Sequence, residues 1–323
     1  MAPPLPGILV LGAGELGMSI LHAFALQVAT DTPVTTMLRP ATIQSSSPEK
    51  QRDVQTIRSL NIRILEFDLS SSSDADLAAA LRPFHMVISC MGFSAGPGTQ
   101  LKIARAALAA GIQKFVPWQF GVDYDHIGYG SAQDLFDEQL HVRELLRNQS
   151  ASGVLPTTQW KIISTGIFCS FLFEPWFGIV EPRASSEIVV RALGSWENAV
   201  TVTTVQDIAR LTAEIVLSAE TEWNSVTFIA GDTVTYANLV ALVRKTASAV
   251  ARLVQTEVWD VSTLKTELAE DPTNSIKKYR VVFAEGVGVS WEKAKTWNEV
   301  NGIKTTSVEE WLQAHPEVLA FSL

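Results

Sequence analysis

Residues 8–26 constrain the fold more than any other stretch of the chain. Ile8-Leu9-Val10-Leu11 is a short, continuous apolar run, as expected of a parallel strand covered on both faces. It breaks at Gly12-Ala13-Gly14-Glu15-Leu16-Gly17 and resumes with Leu16, Ile20 and Phe24 at helical spacing. Strand, G-x-G-x-x-G turn and helix in that order form an arrangement that binds a dinucleotide. Gly12 permits the tight turn, Gly14 lets backbone approach a pyrophosphate, and Gly17 allows the helix to pack closely on the strand. The first helical turn, with Glu15 and Leu16, offers unsatisfied N–H groups and the positive end of the helix dipole to phosphates. The bland alternative is a purely structural turn, and the strand before it and helix after it weigh against that.

Composition sets the bounds. The chain has 323 residues, 47% hydrophobic and 18% charged, enough to bury a sizeable core and too apolar for disorder. A formal net charge of −9 argues against a nucleic-acid surface. Cys90 and Cys169 are too few for a disulfide framework, and the histidines are scattered, so no metal site is expected. No apolar stretch is long enough to span a bilayer, and the N-terminal run lacks the basic lead of a signal peptide. The expectation is a cytoplasmic protein with a small-molecule substrate and neither nucleic-acid nor membrane partners.

The rhythm of the first half is β-α-β-α. Strands are predicted at Pro33 to Pro40, Ile62 to Phe67, His85 to Cys90, Lys114 to Pro117 and Gln159 to Ser164. Helices are predicted at Pro48 to Leu60, Asp74 to Leu81, Thr99 to Ala110 and from Ser131 to about Asn148. This implies an α/β fold, a doubly wound parallel sheet of Rossmann type. Beyond it the rhythm loosens. Strands are expected at Glu187 to Leu193, Ala199 to Thr203, Val226 to Ala230 and Gln255 to Asp260. Helices are expected at Val205 to Ser218, Tyr236 to Val254, Trp291 to Asn301 and Val308 to Ala314. The division read from this is a dinucleotide-binding domain over 1–165, with the chain returning to it around 199–218, and a smaller α+β substrate-binding cap over 166–323.

The choice of cofactor turns on the end of the second strand. A site for NAD places an acid there to bind the ribose hydroxyls. Here the residue is Arg39, and the nearest acid, Asp31, precedes the strand. A guanidinium can stack on adenine and pair with a 2′-phosphate through forked hydrogen bonds. Lys50, Arg52 and the serines Ser45 to Ser47 follow. NADPH (NADP) is therefore favoured over NADH, against the plainer reading of a solvated arginine.

These residues together make the chain resemble the NmrA-like, isoflavone-reductase-like atypical short-chain dehydrogenases, which include phenylcoumaran benzylic ether and pinoresinol–lariciresinol reductases. The resemblance rests on the glycine loop, Val34 to Pro40, Asp68-Leu69, Val87-Ile88-Ser89, Lys114 to Gly121 (against the family's "RFLPSEFG") and Val142-Arg143. It implies a cofactor site that includes Ser89, Met91, Gly92, Trp118 and Phe120. It also implies a substrate pocket lined from the aromatic stretch by Phe168, Phe171 and Trp176. One departure stands out: aligned on Leu140 to Arg143, the resemblance puts Gln139 where the family has a catalytic or cofactor-orienting lysine. Gln139 shares a helical stripe with Leu135, Val142 and Leu146, so it faces inward. A glutamine donates hydrogen bonds but transfers no proton.

Other candidates for chemistry lie in Gly121 to Tyr129, where Tyr124, Tyr129 and His126 can donate a proton and Asp123 can steady a positive charge. The alternative for each is an ordinary polar loop. The resulting expectation is an NADPH-dependent reductase delivering hydride to a C=N, C=C or C=O bond of an aromatic or heterocyclic metabolite, such as an iminium. The rival is an NADP(H)-sensing regulator without turnover. A redox-neutral isomerase or cyclase is a third reading.

Overall fold

The chain begins β1 (Gly7–Leu11), α1 (Glu15–Gln27), β2 (Val34–Leu38), α2 (Pro40–Ile43), α3 (Pro48–Ser59), β3 (Arg63–Glu66), α4 (Asp74–Leu81), β4 (Phe84–Ser89), α5 (Thr99–Ala110) and β5 (Lys114–Val116). It continues α6 (Tyr124–Ile127), α7 (Leu135–Arg147), β6 (Gln159–Ser164), β7 (Ile167–Phe168), β8 (Val180–Pro182), β9 (Glu187–Leu193), β10 (Ala199–Thr203) and α8 (Val205–Leu217). It ends β11 (Ser225–Phe228), β12 (Asp232–Thr235), α9 (Tyr236–Ser248), β13 (Leu253–Trp259), α10 (Val261–Glu270), α11 (Ser275–Glu285), α12 (Trp297–Val300) and α13 (Val308–Ala314). The computed structural model describes residues 7–29, 32–92, 95–149, 158–183, 187–248 and 252–320. The proline-rich lead-in before Gly7, and Asp31, lie outside the described residues.

Seven strands form one sheet in the order β11-β6-β5-β4-β1-β2-β3, and the pairs from β3 across to β6 are parallel. All five residues of β1 are buried, which is why its sequence is unbroken apolar rather than alternating. The order of strands reverses between β1 and β4, the topological switch point at which open α/β sheets bind ligands. The doubly wound parallel sheet is thus present as expected.

Two compact units are present. The first comprises Met1–Gln119, Glu138–Ile163 and Ile208–Thr227, and the second Phe120–Asp137, Ser164–Asp207 and Phe228–Leu323. The chain thus leaves the first unit more than once and returns to it over Ile208–Thr227. The core of the first unit gathers Leu9 and Leu11 of β1, Val87 of β4, Phe115 of β5 and Ile103 of α5, together with Val142 and Leu146 of α7. The second unit holds two three-stranded sheets, β12-β10-β7 and β13-β9-β8.

Besides the short elements α6, β7, β8 and β12, which were not anticipated, the second unit departs from the sequence reading in its helices. Residues 291–301 form a 3₁₀ turn (Lys293–Lys295) and the single turn α12 instead of one helix. The break is at Thr296, which is extended (φ −74°, ψ 154°), and buried Asn298 in the turn that follows bonds the backbone N–H and C=O of Ala230 through its side chain. The expected helix at Tyr236 to Val254 stops at Ser248, and by Leu253 the chain is already strand, paired in register with Glu187. Helices α10 and α11 were not anticipated; side-chain caps from Asp260 and Asn274 start them.

α5 shows how the first unit closes on itself. Its N-cap is Gly98, which has no side chain with which to cap. Glu138 of α7 does so instead. One carboxylate oxygen accepts from Gly98 N at 2.9 Å, and the other from Gln100 N at 2.8 Å and Leu101 N at 3.1 Å. Glu138→Ala should leave these donors without their acceptor and lower unfolding free energy by ~2 kcal/mol, read as a lower urea midpoint with unchanged slope.

Candidate functional site

At the carboxyl ends of β1, β2 and β4 the first unit has a cleft of about 440 Å³. Its floor is Gly12, Ala13 and Gly14, one end is Arg39 with Thr42 and Lys50, and a wall is formed by residues 90–92 and Ala95.

The three glycines divide the work. Gly12 takes φ +87°, and a Cβ there would meet the Met91 sulfur at 2.9 Å. Gly17 is closed: a Cβ would lie 2.2 Å from the Gly12 carbonyl oxygen, so α1 rests directly on the turn. Gly14 is the opposite. It is the N-cap of α1, has ordinary backbone angles, and a Cβ would meet no heavy atom within 4 Å. α1 has no side-chain cap there, so its first N–H groups face an open cradle that an anion fits.

Arg39 stands at the end of β2, where Pro40 at the first position of α2 holds it extended (φ −67°, ψ 145°). Its side chain is exposed at the cleft. Lys50 joins it, with Asp53 at 3.6 Å; Arg52 and Ser45 to Ser47 do not line the cleft. The nearby acid follows β3. The Ser70 hydroxyl (2.6 Å), then the Ser70 amide (3.0 Å), hold the Asp68 carboxyl below its usual range, with a smaller pull from Arg39. Burial pushes the thiol of cleft-lining Cys90 well above its usual pKa, so it is not a thiolate nucleophile.

Met91 and Gly92 line the cleft; Trp118 packs against Gly92, 3.5 Å from where a Cβ would stand. Gln100 fixes this wall, its amide donating to the Met91 carbonyl at 2.7 Å. Glu15 is exposed at the first turn, Leu16 is buried behind it, and Ser89 is buried at the end of β4.

Gln139 is wholly buried, on one stripe with buried Val142 and Leu146. Neither heteroatom of its side-chain amide has a hydrogen-bond partner, and the Ser89 hydroxyl is equally unpartnered. A buried polar atom left unpaired costs about 1–3 kcal/mol, so these groups are maintained against stability. The backbone around Gln139 is well held. Gln119 donates to the Gln139 carbonyl at 2.9 Å and accepts from Arg143 Nε at 2.7 Å, and all three residues are buried. No local pattern marks the bonding roles of Gln119, Gln100 or Glu138, because their partners lie 9 to 40 residues away.

The remaining candidates belong to the second unit. Tyr124 is buried edge-on against Phe136, with ring centroids 5.0 Å apart, and its hydroxyl lies over Gly121. Asp123 caps α6, accepting from His126 N at 3.4 Å. Tyr129 is half exposed and Phe120 is buried. Phe168, Phe171 and Trp176 form a chain of rings with centroid spacings of 5.2 Å and 5.2 Å, ending in the exposed indole of Trp176. Phe173 and Phe177 of the same stretch are core. Among the described residues no cluster of His, Cys, Asp or Glu is arranged for a metal ion, and no helix is long and apolar enough to cross a membrane.

With this geometry in place, comparison with known proteins is decisive for the family. The model of the NmrA-like family matches residues 6–312. The chain belongs to the NmrA-like family. It is 41% identical over 307 residues to an NmrA-like family domain-containing oxidoreductase of Gibberella moniliformis, covering 95% of this chain and 97% of that one. Among solved structures, an isoflavone reductase superposes with TM-score 0.74 at 20% identity, over 95% of this chain and 98% of that one. The binary complex of leucoanthocyanidin reductase with NADPH from Vitis vinifera superposes with TM-score 0.75 at 17% identity, over 97% and 99%. For this NmrA-like chain these likenesses establish the fold.

The contrast between two glycines gives a test. Gly14→Val should fold with a nearly unchanged melting temperature yet lose dinucleotide binding, because its Cβ meets no heavy atom within 4 Å and its side chain enters the cradle. Gly17→Ala should fail to fold or melt much lower. Equal damage to folding by both, or undiminished binding by Gly14→Val in a titration, would contradict the assignment.

Proposed function

We propose that this protein is an NADPH-dependent reductase acting on a C=N, C=C or C=O bond of an aromatic or heterocyclic small molecule. The observation that carries this reading is the cleft itself. It joins an uncapped helix N-terminus at Gly14 to the guanidinium of Arg39 and the ammonium of Lys50. An open N-terminus suits a pyrophosphate, and the cations of Arg39 at the end of β2 and Lys50 on α3 suit a 2′-phosphate. The oxidoreductase named as a relative, and the NADPH held by a structural neighbour, support the same reading. When bound, the reduced nicotinamide supplies hydride. The first unit then binds the dinucleotide, and the second recognises substrate, with Phe168, Phe171 and Trp176 as its aromatic determinants.

Gln139 narrows the chemistry. Its amide can orient a bound group by hydrogen bonding but cannot supply a proton. Such a site suits an electrophile already activated, an iminium above all, which accepts hydride with little acid assistance. Tyr124, Tyr129 and Asp123 remain the candidates for proton donation and charge stabilisation. The amide also favours a second reading, an NADP(H)-sensing regulator that binds without turnover. Stopped-flow mixing of NADPH with imines, enones and benzylic ethers separates the two, since a sensor oxidises none of them.

Arg39→Ala should raise the Kd for NADPH roughly thirtyfold, ~2 kcal/mol of lost charge-assisted hydrogen bonding, with NADH changed less than about threefold. Equal losses for both cofactors, measured by calorimetric titration, would remove the 2′-phosphate assignment. Gln139→Met should stabilise the protein by ~1 kcal/mol by deleting two unpaired buried atoms, while slowing single-turnover NADPH oxidation about tenfold. Destabilisation would show that the amide serves the fold instead.

A further inference from the structure

In the second unit the turn from Glu174 to Gly178 carries the indole of Trp176, and guanidinium groups hold three consecutive carbonyls of that turn. Arg280 of α11 donates from Nη2 to the Trp176 carbonyl at 2.9 Å and from Nε to the Phe177 carbonyl at 2.9 Å. Arg191 of β9 donates from Nη1 to the Gly178 carbonyl at 2.9 Å. Both guanidinium groups lie over the ring of Trp259, each 4.6 Å from its centroid. Two cations beside one indole repel each other, and the carboxylates of Glu181 and Glu257, which both accept from Arg191, offset this.

The turn is shaped for the grip. Gly178 has φ +84°, and a Cβ there would stand 2.9 Å from Arg280 Nη2 and 3.0 Å from the Trp259 ring. Glycine is therefore what lets the chain pass beneath the stacked groups. The turn also closes on itself, since Phe177 N and Gly178 N donate to the Glu174 carbonyl at 3.0 Å and 3.2 Å.

The Trp176 carbonyl bonds Arg280 at an exposed position, where water donates as readily, and immobilising a long arginine side chain costs rotamer entropy. What the grip adds is a fixed direction for Trp176. Its indole is 45% exposed, edge-on to Phe171 at 74° and tilted against Phe177 at 55°. A large ring open to solvent on a braced backbone is organised for recognition before its ligand arrives.

We propose that Arg280 is a positioning residue, setting the indole of Trp176 against a flat aromatic substrate by gripping the two carbonyls beside it. The inference deepens the reductase reading and rests on it for the role of Trp176 in substrate recognition. Arg280 is the member to test, because removing buried Arg191 would strand Glu181 and Glu257.

The probe is quinoline, uncharged at pH 8, titrated calorimetrically into the full-length protein with NADP+ present, which carries no hydride to transfer. Trp176→Ala should weaken quinoline at least about tenfold, and Arg280→Gln about fivefold. Glutamine forms helix as well as arginine does, so α11 is preserved. Because Arg280 acts through the indole, the double variant should bind no more weakly than Trp176→Ala alone, whereas a general loss of packing would add to it. Arg280→Lys keeps a cation near Trp259 and should bind with an affinity between those of the arginine and glutamine forms. In protein labelled with 5-fluorotryptophan, the fluorine resonance missing from Trp176→Phe identifies Trp176, and Arg280→Gln should move it toward the position of the free amino acid. Additive losses or an unmoved resonance would overturn the proposal. Weakening by Trp176→Ala without weakening by Arg280→Gln refutes this proposal alone and spares the substrate reading. Quinoline binding that is absent, or indifferent to Trp176→Ala, refutes the substrate role of Trp176 and this proposal with it.

Discussion

The contact on which the first unit depends is the one between Gly17 and the carbonyl of Gly12. With no Cβ at Gly17, α1 settles onto the turn that ends β1, at a distance no other side chain allows. That seating points the uncapped start of the helix out of the carboxyl edge of the sheet. β1 contributes the second half of the constraint. Lying between β4 and β2 with every residue buried, it fixes where the strand order reverses and therefore where the cleft opens.

Much of this was legible in the sequence because its determinants are local. A glycine loop, an unbroken apolar strand and a helical repeat lie within residues 8–26, and Arg39 falls at the end of the next strand. The inward-facing stripe of α7 was also readable from periodicity, and Gln139 is buried as that stripe required. The family followed from motifs in order along the chain. Local pattern failed where tertiary contacts override it. The helix expected over 291–301 is interrupted at extended Thr296, with Asn298 beyond it tied to the Ala230 backbone, and Leu253 is strand because it pairs with Glu187. Lys50 was readable as a nearby cation, but nothing in the sequence separates it from Arg52, which does not line the cleft.

Stability and chemistry are unevenly shared along one turn of α7. Glu138 has both oxygens occupied by backbone donors, whereas the next residue, Gln139, is buried with its amide unanswered. The fold is thus secured immediately beside a side chain that does nothing for it. Gln119 and Arg143 complete the arrangement by bracing the Gln139 backbone while leaving its amide alone. Unpaired polar atoms in such rigid surroundings are characteristic of groups retained for binding rather than for packing.

The cap on α5 has a consequence for how the molecule is made. The helix begins at Thr99, but the carboxylate that completes its first turn lies about forty residues further on. During synthesis β1, α1, β2, β3 and β4 leave the ribosome with α5 still open at its start, and the wall at Met91 is tied to that same helix through Gln100. The floor of the cleft is built from contacts within one short stretch and can assemble early. Its wall waits for α7, so the nucleotide-sized opening is finished from the bottom up and closed by a residue that arrives late.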